Sequence, residues 1–176
     1  LASFGNFCVL DIAQNGAVTV SNANISKQVQ DEFERRTLLF YTGVRRKSED
    51  ILNEQQKHLR ANRQDAVELK HKTKRIGQQI FNVFESGRLD EFGTLLDEHW
   101  QVKRKMSARM SSPFFDELYE KAKRAGALGG KIMGAGGGGF FLIYAREGTQ
   151  DAIRRVFAEA GLRDIPFSID SAGTQV

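Results

Sequence analysis

A chain of 176 residues with 40% hydrophobic and 27% charged residues has the make-up of one globular domain with a sizeable core. That composition excludes wholesale disorder, and no apolar run approaches the roughly 20 residues of a membrane-spanning helix. The net charge of +4 is mild, and a single cysteine, Cys8, excludes an internal disulfide framework.

Phe4 to Ile12 and Ala17 to Val20 are rich in strand formers and flank the turn residues Gln14, Asn15 and Gly16, which predicts a hairpin. Cys8, between Phe7 and Val9, reads as a core thiol and not as a nucleophile. Leu1 to Asp11 lacks the basic start and small-residue cleavage site of a secretory leader, so a cytoplasmic location is expected. Ser26 is placed to cap a short helix reaching about Arg35. Leu38 to Tyr41 is an apolar run of buried-strand length that stops at Thr42 and Gly43. Ser48, followed by Glu49 and Asp50, marks a helix start with acids at the positive end of the helix dipole.

Helices are expected over about 48–59, 65–86 and 89–105. Ile76, Ile80, Val83 and Phe84, then Leu89, Phe92, Leu96, Trp100 and Lys103, keep the three-and-four spacing of a helix that buries one stripe. Trp100 therefore reads as a core residue, with His99 beside the stripe. Lys70, Lys72, Lys74 and Arg75 share their helix with Glu68 and Ile76, so they read as a solvated face and not as a nucleic-acid surface. His58, His71 and His99 are widely separated, without a cysteine or carboxylate at ligand spacing, and make no zinc set. Ser112 and Pro113 open a further helix to about Arg124 or Ala125, which Gly126 ends. A strand over 140–145, a helix over 151–160 closed by Gly161 and a last strand from Ile165 to Ile169 complete the pattern. The fold class is α+β, a small antiparallel sheet packed against several helices, in one domain over 1–176.

Between Gly126 and Ala145 the chain reads GALGGKIMGAGGGGFFLIYA, with six consecutive small residues: Gly134, Ala135, Gly136, Gly137, Gly138 and Gly139. Glycine adopts positive φ freely and lets backbone N–H groups approach an anion that a Cβ would hold away. A flexible linker would be flanked by polar sequence, whereas this run follows Lys131 to Met133 and leads directly into Phe140 to Tyr144. An ordered loop is the reading. It is not a phosphate loop of the Gly-Lys-Ser/Thr kind, and a strand follows the glycines where a dinucleotide fingerprint needs a helix. A donor-rich loop beside a lysine points to phosphate chemistry.

KIMGAGGGGFF, from Lys131 to Phe141, resembles the third, C-terminal motif of the GHMP small-molecule kinases. LLFYTGVRRKSEDIL (Leu38 to Leu52), LDEHWQVKRKMS (Leu96 to Ser107) and DELYEKAKRAGALGGK (Asp116 to Lys131) resemble the bacterial D-glycero-D-manno-heptose 7-phosphate kinase branch of that family. The resemblance implies a kinase that uses ATP with Mg2+ and phosphorylates the anomeric hydroxyl of the heptose 7-phosphate. It implies that Gly134 to Gly139, flanked by Lys131, lie beside the nucleotide phosphates. It also implies that Tyr41, Thr42, Gly43 and Arg45 lie near the sugar, with Arg45 and Arg46 toward the substrate phosphate.

The family has an N-terminal domain with a serine-rich phosphate loop, of which these residues carry no copy. It places a catalytic aspartate a few residues before a segment resembling Leu1 to Gly5. On that reading the chain is the C-terminal region of a longer kinase, with residues 1–25 as the strands joining its own N-terminal domain. The catalytic base and the metal ligands are then expected outside it, and the piece alone is expected to be inactive. Two alternatives stand beside this one: a related kinase acting on free fucose, galactose or arabinose, and a non-catalytic binding module that retains the fold.

Overall fold

Strand formers around Asn15 and Gly16 fold back on themselves as expected. In the computed structural model, which describes residues 4–44, 53, 56, 57, 60, 63–107, 109–134 and 136–174, β1 (Cys8–Ile12) pairs antiparallel with β2 (Val18–Asn22). Most of this ribbon is exposed, Leu10, Ile12 and Val18 included. Cys8 is half-buried, its thiol donating to the Gly5 carbonyl at 3.1 Å, so it sits at the margin of the core and not within it.

The Ser26 hydroxyl accepts from Val29 N and caps α1 (Lys27–Arg36), which runs without a connection into β3 (Thr37–Tyr41). The helix expected from Ser48 falls largely outside the described residues; Asn53, Gln56, Lys57 and Arg60 are helical. Next come α2 (Arg63–Ser86) and α3 (Leu89–Met106). Asp90 and Glu91 open α3, while Lys103, Arg104 and Lys105 close it, both in the sense that complements the helix dipole. Ser112 caps α4 (Pro113–Arg124), with the proline in the first turn. Then follow β4 (Ala127–Ile132), β5 (Phe140–Ala145), α5 (Gln150–Glu159) and β6 (Arg163–Asp164). No described helix is long and apolar enough to cross a membrane.

The larger sheet has the order β4-β5-β3-β6, antiparallel throughout. One core cluster joins Phe40, Phe141 and Ile143 of the sheet to Trp100, Phe115, Tyr119 and Phe157 of the helices. Trp100 is fully buried, and the rings of Phe40 and Phe157 stack 3.9 Å apart. A second cluster gathers Phe33, Phe84, Phe92 and Tyr144, several of them edge to face. Burying each such side chain contributes about 1.5–3 kcal/mol.

Two strands differ from the sequence reading. β4 was not expected, because Gly129 and Gly130 weaken strand propensity. It forms because those glycines let α3 and β5 come close: a Cβ on Gly129 would lie 2.0 Å from the Gly93 carbonyl oxygen, and one on Gly130 would lie 2.5 Å from Ile143 Cδ1. The last strand is not Ile165 to Ile169 but Arg163–Asp164. The Ile165 amide still reaches the Leu39 carbonyl at 2.7 Å, and Pro166, with no N–H to give, ends the ladder.

At the α1 end of this sheet, Arg36 is only 4% exposed. Its guanidinium donates to the Ala145 carbonyl at 3.0 Å and to Glu32 at 2.7 Å, pairs with Asp90, and lies 4.7 Å from the centre of the Tyr144 ring. Burial works against this charge, but the hydrogen bonds to Asp90 and Glu32 outweigh it, and Arg36 is held above its ordinary value.

Candidate functional site

At the other end of the sheet, the residues between β4 and β5 form the glycine connection. Gly134, Gly136, Gly137 and Gly139 all have φ between 68° and 98°, the left-handed region that other residues avoid. The connection is pinned on both sides. The Gly137 amide donates to the Met110 carbonyl at 2.8 Å, and the Gly139 amide to the Val44 carbonyl at 2.9 Å. Thr42 gives both its amide and its hydroxyl to the Gly139 carbonyl, at 2.9 and 3.0 Å. A Cβ on Gly136 would come within 2.5 Å of the Met110 sulfur, and one on Gly138 within 2.6 Å of the Val44 carbonyl oxygen.

The sequence pointed to a loop of outward donors, and two of its amides, at Gly137 and Gly139, are turned inward to hold the loop in place. The Thr42 hydroxyl, expected near a sugar, is likewise engaged with backbone, donating to Gly139 and accepting from the Val44 amide at 3.3 Å. Tyr41 is half-buried with its ring 5.4 Å from that of Phe140, and Gly43 is exposed at φ 70°. The structure thus brings Tyr41, Thr42 and Gly43 to the base of the glycine connection. Arg45, Arg46 and Ala135 lie outside the described residues.

Lys131 belongs to β4 and lies two residues beyond Gly129, so it shares the face on which α3 docks. From α3, Lys103 reaches across and donates its ammonium group to the Gly134 carbonyl. His99 stands one turn before Lys103, its Nδ1 buried and without a hydrogen-bond partner among the described residues. Burial, reinforced by Lys103, pushes Lys131 down to about 8. Burial lowers Lys103 as well, and burial followed by the charges of Lys131 and Lys103 pushes His99 down to about 4.

The sequence singles out Lys131 and sets His99 beside the buried stripe, within reach of the cleft, but it gives Lys103 no role beyond that stripe. The signal was available: Lys103 continues the stripe of Phe92, Leu96 and Trp100, where a core side chain would be expected. A lysine at such a position covers apolar surface with its stem and delivers its charge at the end of the stripe.

A family model described as GHMP kinases C terminal matches residues 80–162, which include His99, Lys103, Lys131 and the glycine connection. The chain is 31% identical over 146 residues to a D-glycero-alpha-D-manno-heptose 7-phosphate kinase from Campylobacter jejuni, a match covering 81% of this chain and 42% of that protein. It is 28% identical over 123 residues to a bifunctional fucokinase/GDP-fucose pyrophosphorylase from Arabidopsis thaliana, covering 69% of this chain and 12% of that one. In fold it resembles the L. major mevalonate kinase solved in complex with R-mevalonate, with a TM-score of 0.73 at 17% identity over 96% of this chain and 50% of the other. The chain therefore spans less than half the length of these curated relatives.

Proposed function

Because residues 80–162 are a GHMP kinase C-terminal domain, we propose that the protein carrying this chain transfers the terminal phosphoryl group of ATP to a sugar hydroxyl, the acceptor being the anomeric hydroxyl of D-glycero-D-manno-heptose 7-phosphate. The observation that carries this reading is the pinned glycine connection with Lys103 on its flank, inside the matched residues.

Phosphoryl transfer asks a protein for positioning and for neutralisation of charge more than for covalent chemistry. Gly137 and Gly139 hold the connection to Met110 and Val44. On this reading Gly134, Gly136 and Gly138 face the phosphates, and Lys131 supplies positive charge beside them. Tyr41 and Gly43 border the sugar, and Arg45 and Arg46 hold its 7-phosphate through charge-assisted hydrogen bonds. ATP would supply the phosphoryl group, and Mg2+ would supply charge neutralisation at its phosphates. On this reading this chain's share of the work is directed at phosphate and sugar oxygens. The exposed β1–β2 ribbon, with Leu10, Ile12 and Val18 outward, is then the seam with a nucleotide-binding domain.

The heptose phosphate is preferred because the 31% identity to the Campylobacter protein extends over 81% of the chain. The similarity to the fucokinase protein supports a second acceptor, a free sugar such as fucose. ADP release by the full-length protein with ATP and Mg2+, comparing the heptose 7-phosphate with mannose, galactose, fucose and arabinose, separates the two. Turnover confined to the heptose phosphate is the expected result. Turnover on a free sugar would keep the kinase and change the acceptor, and silence on every sugar would leave a binding module. Replacing both Arg45 and Arg46 with alanine should raise KM for the phosphorylated sugar; an unchanged KM would remove them from the site.

A further inference from the structure

α3 and β4 bring Lys103, Lys131 and His99 to one flank of the glycine connection, and among the described residues neither lysine is paired with a carboxylate. Lys103 gives one proton of its ammonium group to the Gly134 carbonyl, which leaves two to donate. Asp97 of the same helix does not answer these charges: it accepts from Tyr119 Oη at 2.5 Å and from Gln101 at 3.3 Å, and lies 3.4 Å from Lys123. Two partly buried ammonium groups that repel each other, beside an imidazole with an orphaned nitrogen, cost the folded chain free energy. Charge held at such a cost is offset when an anion arrives, and a phosphoryl group brings close to two negative charges and three acceptor oxygens.

We propose that Lys103, Lys131 and His99 form a phosphoryl-binding site on the α3 side of the glycine connection, distinct from Arg45 and Arg46. The proposal rests on the kinase reading for the origin of its ligand, which is either the phosphate chain of the nucleotide or the phosphate ester of the sugar. The groups facing His99 are Lys131 from β4 and Lys103 from its own helix. An anion that neutralises both lysines lets the imidazole take up a proton and donate from its orphaned nitrogen, so occupancy is coupled to proton uptake.

The test titrates the full-length protein with inorganic phosphate and pyrophosphate while the His99 imidazole is followed by NMR, its resonance assigned with His99→Gln. Saturating anion should raise the proton affinity of His99 about tenfold or more. Lys103→Met and Lys131→Met should each weaken pyrophosphate binding about tenfold or more, and Lys103→Arg should restore most of it, with circular dichroism showing all three folded. An unmoved His99 titration, or unchanged affinity in both methionine variants, overturns the site.

A non-hydrolysable ATP analogue and a sugar phosphate are then added as competitors. Whichever displaces pyrophosphate and moves His99 names the source, and displacement by neither overturns the proposal. ADP release with unaltered kinetic constants in both methionine variants would sink the site and leave the kinase reading standing. Pyrophosphate binding as expected without ADP release on any sugar would do the reverse.

Discussion

Arg36 and Lys131 are drawn into the same four-stranded sheet near its opposite ends, and their surroundings are unlike. Arg36 meets the carboxylates of Glu32 and Asp90, with Glu147 at 4.0 Å, a strand-end carbonyl and the face of Tyr144. Lys131 meets another lysine, and among the described residues no acid answers either charge. A cation kept for the fold arrives with its counter-charges, because an uncompensated buried charge is strongly destabilising. A cation kept for a ligand leaves that place open, and a lowered proton affinity is the trace of the arrangement.

The contrast can be broken first at its frame. Gly129 is where α3 sits closest to β4 and so sets Lys103 beside Lys131; Gly129→Ala pushes a methyl group into the Gly93 carbonyl. The expected cost is about 3 kcal/mol, read as a lower denaturant midpoint. A wild-type midpoint would mean that helix and strand can separate freely.

Arg36→Met comes next. It strands Glu32 and the Ala145 carbonyl, while Asp90, 79% exposed, returns to water. A loss of about 2–3 kcal/mol is expected, lowering Tm by about 5–10 °C with pyrophosphate binding intact. A variant that kept its Tm would show that the pairing at this end contributes little.

Lys131→Met should change stability in the opposite direction. Removing an unpaired, partly buried charge should stabilise the free protein by about 1 kcal/mol, raising Tm by about 2–4 °C, while phosphate affinity falls. A drop in Tm would make Lys131 a structural cation like Arg36 and end the contrast.

The last effect is a pH dependence confined to the lysine end, and it is absent at neutral pH. His99 protonates at about 4 in the folded chain and near 6.5 when unfolded. Between those values the unfolded chain holds the extra proton, so stability falls as the pH drops from about 6.5 to about 4, and the term is absent above that range. His99→Gln should flatten denaturant midpoints across this window. An unaltered slope would mean that the imidazole is not held neutral by its surroundings.

Local sequence by itself determined much of this protein. The Asn15-Gly16 turn, the Ser26 cap, the Ser112-Pro113 helix start and the apolar run at Phe140 act through neighbours in the chain, and the elements they specify form close to where they were expected. The burial of Trp100 followed from helical spacing, and the order of the glycine connection from its flanks. Only the tertiary structure decided the rest. β4 exists because Gly93 and Gly129 touch across 36 residues, a contact with no local signature. β6 is set by which residues ahead of Pro166, here Arg163 and Asp164, come to lie along the edge of β3. Which amides of the glycine connection face inward depended on Met110 and Val44, residues distant in sequence. The meeting of Lys103, His99 and Lys131 belongs to the same class: spacing assigns each side chain a face, but whether two lysines share a place depends on how closely a helix and a strand can pack, and here the absence of two side chains allows it.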